Sequence, residues 1–200
     1  MHASKLILSL LPSLAAAHMA MWHPSVLDFY GDGYTAVTPL ANLSFSEWWF
    51  HGMLDRPRPS ESFILPVGQS VTVETSCRKD SSSYGTKGDG KNACTLDTAG
   101  LHAGLPVINE TLLMGCGLAI AYKSDFKAVE PQDFTIFSVN YECVKQLKTT
   151  FEVPKVMPAC PAEGCVCAWF WQGQNSAYEM VRSRPSPPPP SKLTGDNGST

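Results

Sequence analysis

Short stretches of alternating apolar and polar residues run along this chain and indicate β-strands rather than helices. In residues 63–75, Val71 and Val73 alternate with polar neighbours, which predicts a strand. Residues 134–141 alternate in the same way, and residues 166–171 form a compact run of apolar and aromatic residues that is typical of a buried strand. The pattern therefore predicts several short strands.

The segments between these strands are irregular. Residues 112–122 are apolar with two glycines, and they fit either a strand or a short buried helix. Residues 78–92 are mostly Ser, Gly, Lys and Asp, which predicts an exposed loop. There is no long amphipathic helical pattern. The sequence therefore predicts an all-β fold, an immunoglobulin- or fibronectin-like antiparallel β-sandwich with long loops and disulfides.

The two ends of the chain differ from its middle. Residues 1–17 combine a mildly basic start, an apolar stretch and small residues before Ala17, as in a secretory signal peptide. Residues 181–200 contain four consecutive prolines flanked by polar residues and predict a disordered tail. Residues 18–180 are the expected folded domain. The apolar stretch is too short to span a bilayer, so we expect a secreted, extracellular protein without a membrane partner.

Composition excludes several function classes. The chain has 15 Lys and Arg against 18 Asp and Glu, a net charge of −3, and no basic run, which argues against a nucleic-acid partner. It lacks a Gly-x-Ser-x-Gly turn and a distinctive carboxylate pair, which argues against a conventional hydrolase. Seven cysteines fit an oxidising compartment. Asn42, Asn109 and Asn197 begin Asn-x-Ser/Thr glycosylation signals, of which the first two lie in the expected domain.

The end of the predicted leader supplies the main chemical hypothesis. Cleavage after Ala17 makes His18 the first residue, so that its α-amine and its ring nitrogen can chelate one transition metal. Imidazole suits copper well. The alternative is that cleavage happens to fall before a histidine.

The other three histidines of the expected mature chain must be weighed as further ligands. His23 precedes Pro24, and His51 follows three aromatic residues, so a structural role is favoured for both. His102 lies among glycines and small residues that let its ring approach the surface. A zinc site is disfavoured, because Cys165 and Cys167 are too close in sequence for the usual Cys-x2–4-Cys spacing.

Four motifs together are similar to one protein family. They are HMAMWHPS at 18–25, TPL at 38–40, WWFHG at 48–52 and CVCAW at 165–169. These motifs resemble fungal copper-dependent lytic polysaccharide monooxygenases, in particular the fourteenth auxiliary-activity family, which is associated with xylan coating cellulose. The resemblance covers residues 18 to about 180.

The resemblance implies a histidine brace around one copper ion. His18 supplies its amine and one ring nitrogen, His102 supplies the third nitrogen, and the hydroxyl of Tyr178 occupies the axial direction. Gln174 or Gln172 would help to position an oxygen species. Exposed aromatics such as Tyr30 and Tyr34 could stack on sugar rings, although core packing is the favoured role of each.

The resemblance also implies a disulfide pattern. It pairs Cys77 with Cys94, Cys116 with Cys143, and Cys160 with Cys165. It joins Cys167 to a cysteine shortly after Tyr178, and this chain has none there. Cys167 is therefore expected to be unpaired, and the likeness to the family ends near residue 180.

The implied function is oxidative cleavage of glycosidic bonds in plant cell-wall polysaccharide, xylan associated with cellulose. The expected partners are a polysaccharide surface, an external electron donor, and dioxygen or hydrogen peroxide. The protein itself is expected to be a monomer. Two alternatives remain: a copper-binding protein without enzymatic activity that uses the same brace, and a carbohydrate-binding cell-wall module in which His18 is incidental.

Overall fold

The protein is a β-sandwich with long connections. The computed structural model describes residues 19–33, 35–38, 40, 43–95 and 109–172, and the backbone of 178–183 and 185–186. The strands are β1 (Ala20–Trp22), β2 (Phe63–Ile64), β3 (Ser70–Ser76), β4 (Cys116–Ala121), β5 (Thr135–Asn140), β6 (Lys148–Glu152), β7 (Val166–Gln172), β8 (Tyr178–Ser183) and β9 (Pro185–Ser186). The helical segments are α1 (Phe45–Trp48) and the 3-10 turns Thr35–Val37, Trp49–Gly52, Lys79–Ser81, Glu110–Leu112, Phe126–Ala128 and Pro131–Asp133.

Two antiparallel sheets form the sandwich. One has the strand order β1-β3-β6, and the other has the order β5-β4-β7-β8. At one side the Cα atoms of β5 and β6 approach within 8 Å, and at the other side those of β1 and β8 do so. The predicted antiparallel β-sandwich with long loops and disulfides is confirmed.

The main core lies between the two sheets. Val73 and Phe151 point into it from the three-stranded sheet, while Leu118, Ile120 and Trp169 point into it from the four-stranded sheet. The polar residues that alternate with Val73 and Phe151 lie at the outer face and are more exposed, which explains the period of two in the sequence. Burial of these large side chains supplies the main stabilisation of the fold.

The four-stranded sheet is also covered on its outer face. Ala121, Val166 and Ala168 pack there against a second apolar cluster that includes Phe50 and Phe126. The rings of Phe50 and Phe126 lie 5.4 Å apart, edge to face. Because both faces of β7 are buried up to Trp171, its sequence is continuously apolar from Val166 to Trp171 instead of alternating.

Three disulfides close the loops. Cys77 joins Cys94, Cys116 joins Cys143, and Cys160 joins Cys165, with Cα–Cα distances of 5.2, 5.6 and 5.4 Å. These are the pairs that the resemblance implies. Cys167 is buried in β7.

The structure differs from the predicted elements in two places and decides between the alternatives at a third. The strand predicted over 63–75 is split, because Pro66 and Gly68 (φ +76°) form a turn in which Gln69 N–H donates to the Pro66 carbonyl at 3.0 Å. Of the two alternatives left open for 112–122, the strand is correct, since β4 (Cys116–Ala121) occupies this segment after a 3-10 turn that ends at Leu112. In the loop predicted over 78–92, Ser81 is buried.

Two strands include residues beyond the boundary expected at residue 180. β8 continues to Ser183 because it pairs with β7 along its whole length, and β9 pairs in parallel with β2. The first residues of the expected tail therefore belong to the sheets, and residues 187–200 lie outside the described part of the chain.

Candidate metal centre

The start of the described chain is held firmly in the sandwich. Met19, Ala20 and Met21 are fully buried, and β1 pairs with β3. The indole Nε1 of Trp22 donates a hydrogen bond to the carbonyl of Ser76 at 3.2 Å. His18, which lies outside the described residues, is covalently attached to this buried strand.

Met19 contacts a disulfide. Its sulfur lies 3.4 Å from the sulfur of Cys77 and 3.7 Å from that of Cys94. Soft sulfur atoms of this kind pack well in irregular gaps. Cys94 is also the point from which the chain enters the segment that carries His102, which lies outside the described residues. Met19, the residue next to His18, therefore contacts Cys94, which together with Thr95 forms the stem of the segment that carries His102.

A third element completes this region. Tyr178 is the first residue of β8 and lies opposite Gln172 in the register with β7. Its backbone is described and its side chain is not. Since β8 runs beside β1, the strand that begins at Tyr178 neighbours the strand that follows His18. Gln172 is exposed at the end of β7, and Gln174 lies outside the described residues.

His23 has the structural role predicted for it. Its Nδ1 accepts a hydrogen bond from Ser25 N–H at 3.1 Å and lies 2.7 Å from Ser25 Oγ. Its ring contacts Phe63 edge to face at 5.1 Å. Burial lowers the pKa of His23, and the negative charge of Glu61 opposes that shift.

The lowered pKa of His23 predicts a pH dependence of stability. Folding favours the neutral ring, so its contribution is complete above the ordinary pKa of 6.5 and is lost as the pH falls through that value towards the lower folded pKa. Protonation at Nδ1 would also remove the acceptor for Ser25 N–H. Urea unfolding between about pH 7.5 and about pH 5 should show stability falling faster with acid than in His23→Asn, which keeps an acceptor without a titrating ring. Parallel pH profiles of the two proteins would contradict this assignment.

His51 lies in an unusual backbone segment. Phe50, His51 and Gly52 have positive φ angles of 55°, 51° and 64°. This left-handed conformation is costly for a residue with a side chain, and the burial of Phe50 between Trp49 and Phe126 compensates for it. His51 is half-buried there.

Two of the aromatic and glycosylation candidates, Tyr30 and Asn109, lie in the described part of the chain. Tyr30 is 75% exposed, so the core-packing role favoured for it is wrong: its ring rests edge-on against Phe29 and leaves a face in solvent. Tyr34 and Asn42 lie outside the described residues. Asn109 is exposed, and its side-chain oxygen accepts a hydrogen bond from the Thr111 hydroxyl at 2.7 Å.

Within the described ranges, no group of three or more His, Cys, Asp or Glu side chains is placed to hold a metal ion. No helix in that part of the chain is long and apolar enough to cross a bilayer. Sequence reasoning missed the role of Met19, although its signal was present: an unbroken apolar run begins directly after His18.

Comparison with known proteins identifies the class. The sequence model of the lytic polysaccharide monooxygenase AA14 family matches residues 2–180, and the chain belongs to this family. It is similar to AA14 family lytic polysaccharide monooxygenase B of Pycnoporus cinnabarinus, with 41% identity over 169 residues that cover 79% of this chain and 45% of that protein. It is also similar to AA14 family lytic polysaccharide monooxygenase A of Trametes coccinea, with 38% identity over 98% of this chain and 48% of that protein. The chain thus spans about half the length of these relatives.

Among solved structures, the chain is similar to an AA10 lytic polysaccharide monooxygenase from Streptomyces lividans. The match covers 86% of this chain and 83% of that one, with 9% sequence identity and a TM-score of 0.37.

Proposed function

We propose that this chain is a secreted, copper-dependent monooxygenase that oxidatively cleaves glycosidic bonds in plant cell-wall polysaccharide, namely xylan associated with cellulose. Membership of the AA14 family supports the reaction class. The observation that carries the proposal for this particular chain is the contact of Met19 with Cys77 and Cys94. That contact ties the residue after His18 to the stem of the segment that bears His102.

The donor set fits copper. His18 would offer an α-amine and a ring nitrogen, and His102 would offer a second imidazole, while Tyr178 adds a phenol oxygen. Imidazole nitrogens suit copper, and a three-nitrogen set can hold both of its oxidation states. When bound, copper supplies one-electron transfer to dioxygen or hydrogen peroxide.

The protein's own task is to hold these donors in place. The α-amine must lose its proton to bind a metal, and a pKa near ~8 makes that displacement easy at neutral pH. Burial of Met19 and pairing of β1 with β3 fix the position of the strand that follows His18. An electron donor outside the chain and a polysaccharide surface are the partners that this chemistry requires.

The activity can be tested directly. Secreted protein that starts at His18 and holds one copper ion should release oxidised oligosaccharides from xylan-coated cellulose when a reductant and dioxygen or peroxide are supplied. Mass spectrometry reports the N-terminus, the metal content and the products. His102→Ala is the matched control and should release none.

The alternatives predict different results. Tight copper binding without oxidised products would favour a copper-binding protein without enzymatic activity. Failure of protein that starts at His18 to bind copper would favour a carbohydrate-binding module.

A further inference from the structure

A polar cavity of about 200 Å³ lies at the turn between β5 and β6. Its lining includes Glu110, Tyr141, Glu142, Lys145, Gln146 and Lys148. Pockets for drug-sized ligands usually measure ~300–1,000 Å³, so this cavity suits a single ring.

The wall of the cavity is well braced. The Cys116–Cys143 disulfide ties the turn to β4. The side-chain oxygen of Asn140 accepts hydrogen bonds from the N–H groups of Glu142 and Cys143 at 2.9 and 3.2 Å, and its nitrogen donates to the Thr150 carbonyl at 3.0 Å. A ligand would therefore meet a preformed site.

The charges in the cavity balance. Lys145 and Glu110 form an ion pair at 2.5 Å. Glu142 and Lys148 add one further charge of each sign. Within the described part of the chain, the side chains of Glu142, Gln146 and Lys148 make no hydrogen bond or ion pair, so they are available to a ligand. A lining with balanced charge and many donors and acceptors favours a neutral molecule rich in hydroxyl groups over an ion.

An aromatic ring stands at the rim. Tyr141 is 78% exposed, more than any other described tyrosine. A tyrosine offers a large apolar face at low conformational cost, which is the surface that the C–H face of a sugar ring can cover. The cavity thus combines an apolar platform with polar groups beside it.

The cavity also adjoins both ends of the segment that contains His102. Gln146 forms a β-bridge with Asn92, and Leu147 N–H donates to the Lys91 carbonyl at 2.8 Å, just before Cys94. Glu110 lies two residues after the end of that segment. A long ligand seated in the cavity would therefore lie beside the base of this segment.

We propose that this cavity is a saccharide subsite that holds one pyranose ring of a neutral polysaccharide. Tyr141 lies against the ring, and Glu142, Gln146 and Lys148 bind its hydroxyl groups. The choice of a saccharide rests on the proposed function, whereas the cavity and its lining do not.

Binding without turnover tests this proposal. The full chain, loaded with Cu(II) and kept without reductant, is titrated with xylohexaose and with cellohexaose by calorimetry, and again after chelation of the metal. Tyr141→Ala should bind at least about tenfold more weakly, because it loses the aromatic platform. Tyr141→Phe keeps the ring and should bind within about threefold of the original protein. Tyr122→Ala removes an exposed tyrosine that lies outside the cavity lining and should leave the affinity unchanged.

The outcomes separate clearly. The subsite would be overturned by an unchanged affinity in Tyr141→Ala or by a loss in Tyr141→Phe as large as that in Tyr141→Ala. Equal losses in Tyr141→Ala and Tyr122→Ala, or no binding of either oligosaccharide, would also overturn it. Because Tyr141 is exposed, both Tyr141 variants should unfold at the temperature of the original protein, which thermal unfolding followed by circular dichroism checks. Oligosaccharide binding at Tyr141 without oxidised products would refute the proposed activity alone, and oxidised products with unchanged binding in Tyr141→Ala would refute the subsite alone.

Discussion

A single residue retained in front of His18 should weaken Cu(II) binding by more than about a hundredfold. Loss of a residue that hydrogen-bonds to a metal ligand lowers metal affinity ~10–100-fold. Here the α-amine, which is itself a ligand, becomes an amide nitrogen that can no longer bind as an amine. Calorimetric titration of the protein that begins at His18, and of the same protein with one preceding alanine, measures the change.

The control for this experiment is His23→Ala. His23 lies five residues from His18 but is engaged with Ser25 and Phe63, so its loss should leave the copper affinity unchanged. Equal copper affinity in the extended and unextended proteins would exclude the brace. A large loss of copper affinity in His23→Ala would show that His23 takes part in the copper site, contrary to the structural role assigned to it.

Removal of the Cys77–Cys94 disulfide should lower both stability and copper affinity. The two cysteines are 17 residues apart, and a loop of that size corresponds to about 3 kcal/mol of stabilisation. In a domain of this size that loss lowers the Tm by about 6–12 °C. Met19 would lose its packing surface, and the stem of the His102 segment would lose its anchor. We therefore expect at least about a tenfold weaker affinity for Cu(II) in Cys77→Ala/Cys94→Ala.

The matched control is Cys160→Ala/Cys165→Ala. These cysteines are only 5 residues apart, so the expected loss is smaller, about 2 kcal/mol, and the sulfur contacts described for Met19 are with the other disulfide. Copper affinity should be unchanged in this variant. If both double variants lose copper affinity equally, the effect reflects general instability and not the contact of Met19 with Cys77 and Cys94.

Much of the sandwich could be predicted from local patterns. The alternation in β3 and the apolar run in β7 reflect how many faces of each strand are buried. Because burial determines whether each position is apolar or polar, this property can be inferred from the local sequence. The parallel pairing of β2 with β9 could not be predicted, because each strand has two residues and the partners are more than a hundred positions apart. The left-handed turn at Phe50 and His51 was also missed, since a positive φ is rare for phenylalanine and the enrichment of histidine in that region is too weak a signal to locate a turn.

The prediction of the candidate site rests on different grounds. The chemistry of an N-terminal histidine follows from the residues around Ala17, whereas His102 and Tyr178 were selected through the family resemblance. The contact of Met19 with the Cys77–Cys94 disulfide joins residues that are far apart in the sequence. No local sequence pattern predicts such a contact. The cavity beside Tyr141 likewise depends on the meeting of residues 110 and 140–149.

Both faces of the central strand β4 in the four-stranded sheet are buried, and this limits which substitutions its residues can accept. Gly117, Ala119 and Ala121 occupy the outer face of β4 beneath the second apolar cluster. A β-carbon at Gly117 would lie 3.3 Å from the Ser138 carbonyl, so even alanine is tight there. Sequence drift among descendants of this protein should therefore be concentrated in the connections, while the small residues of β4 remain nearly fixed.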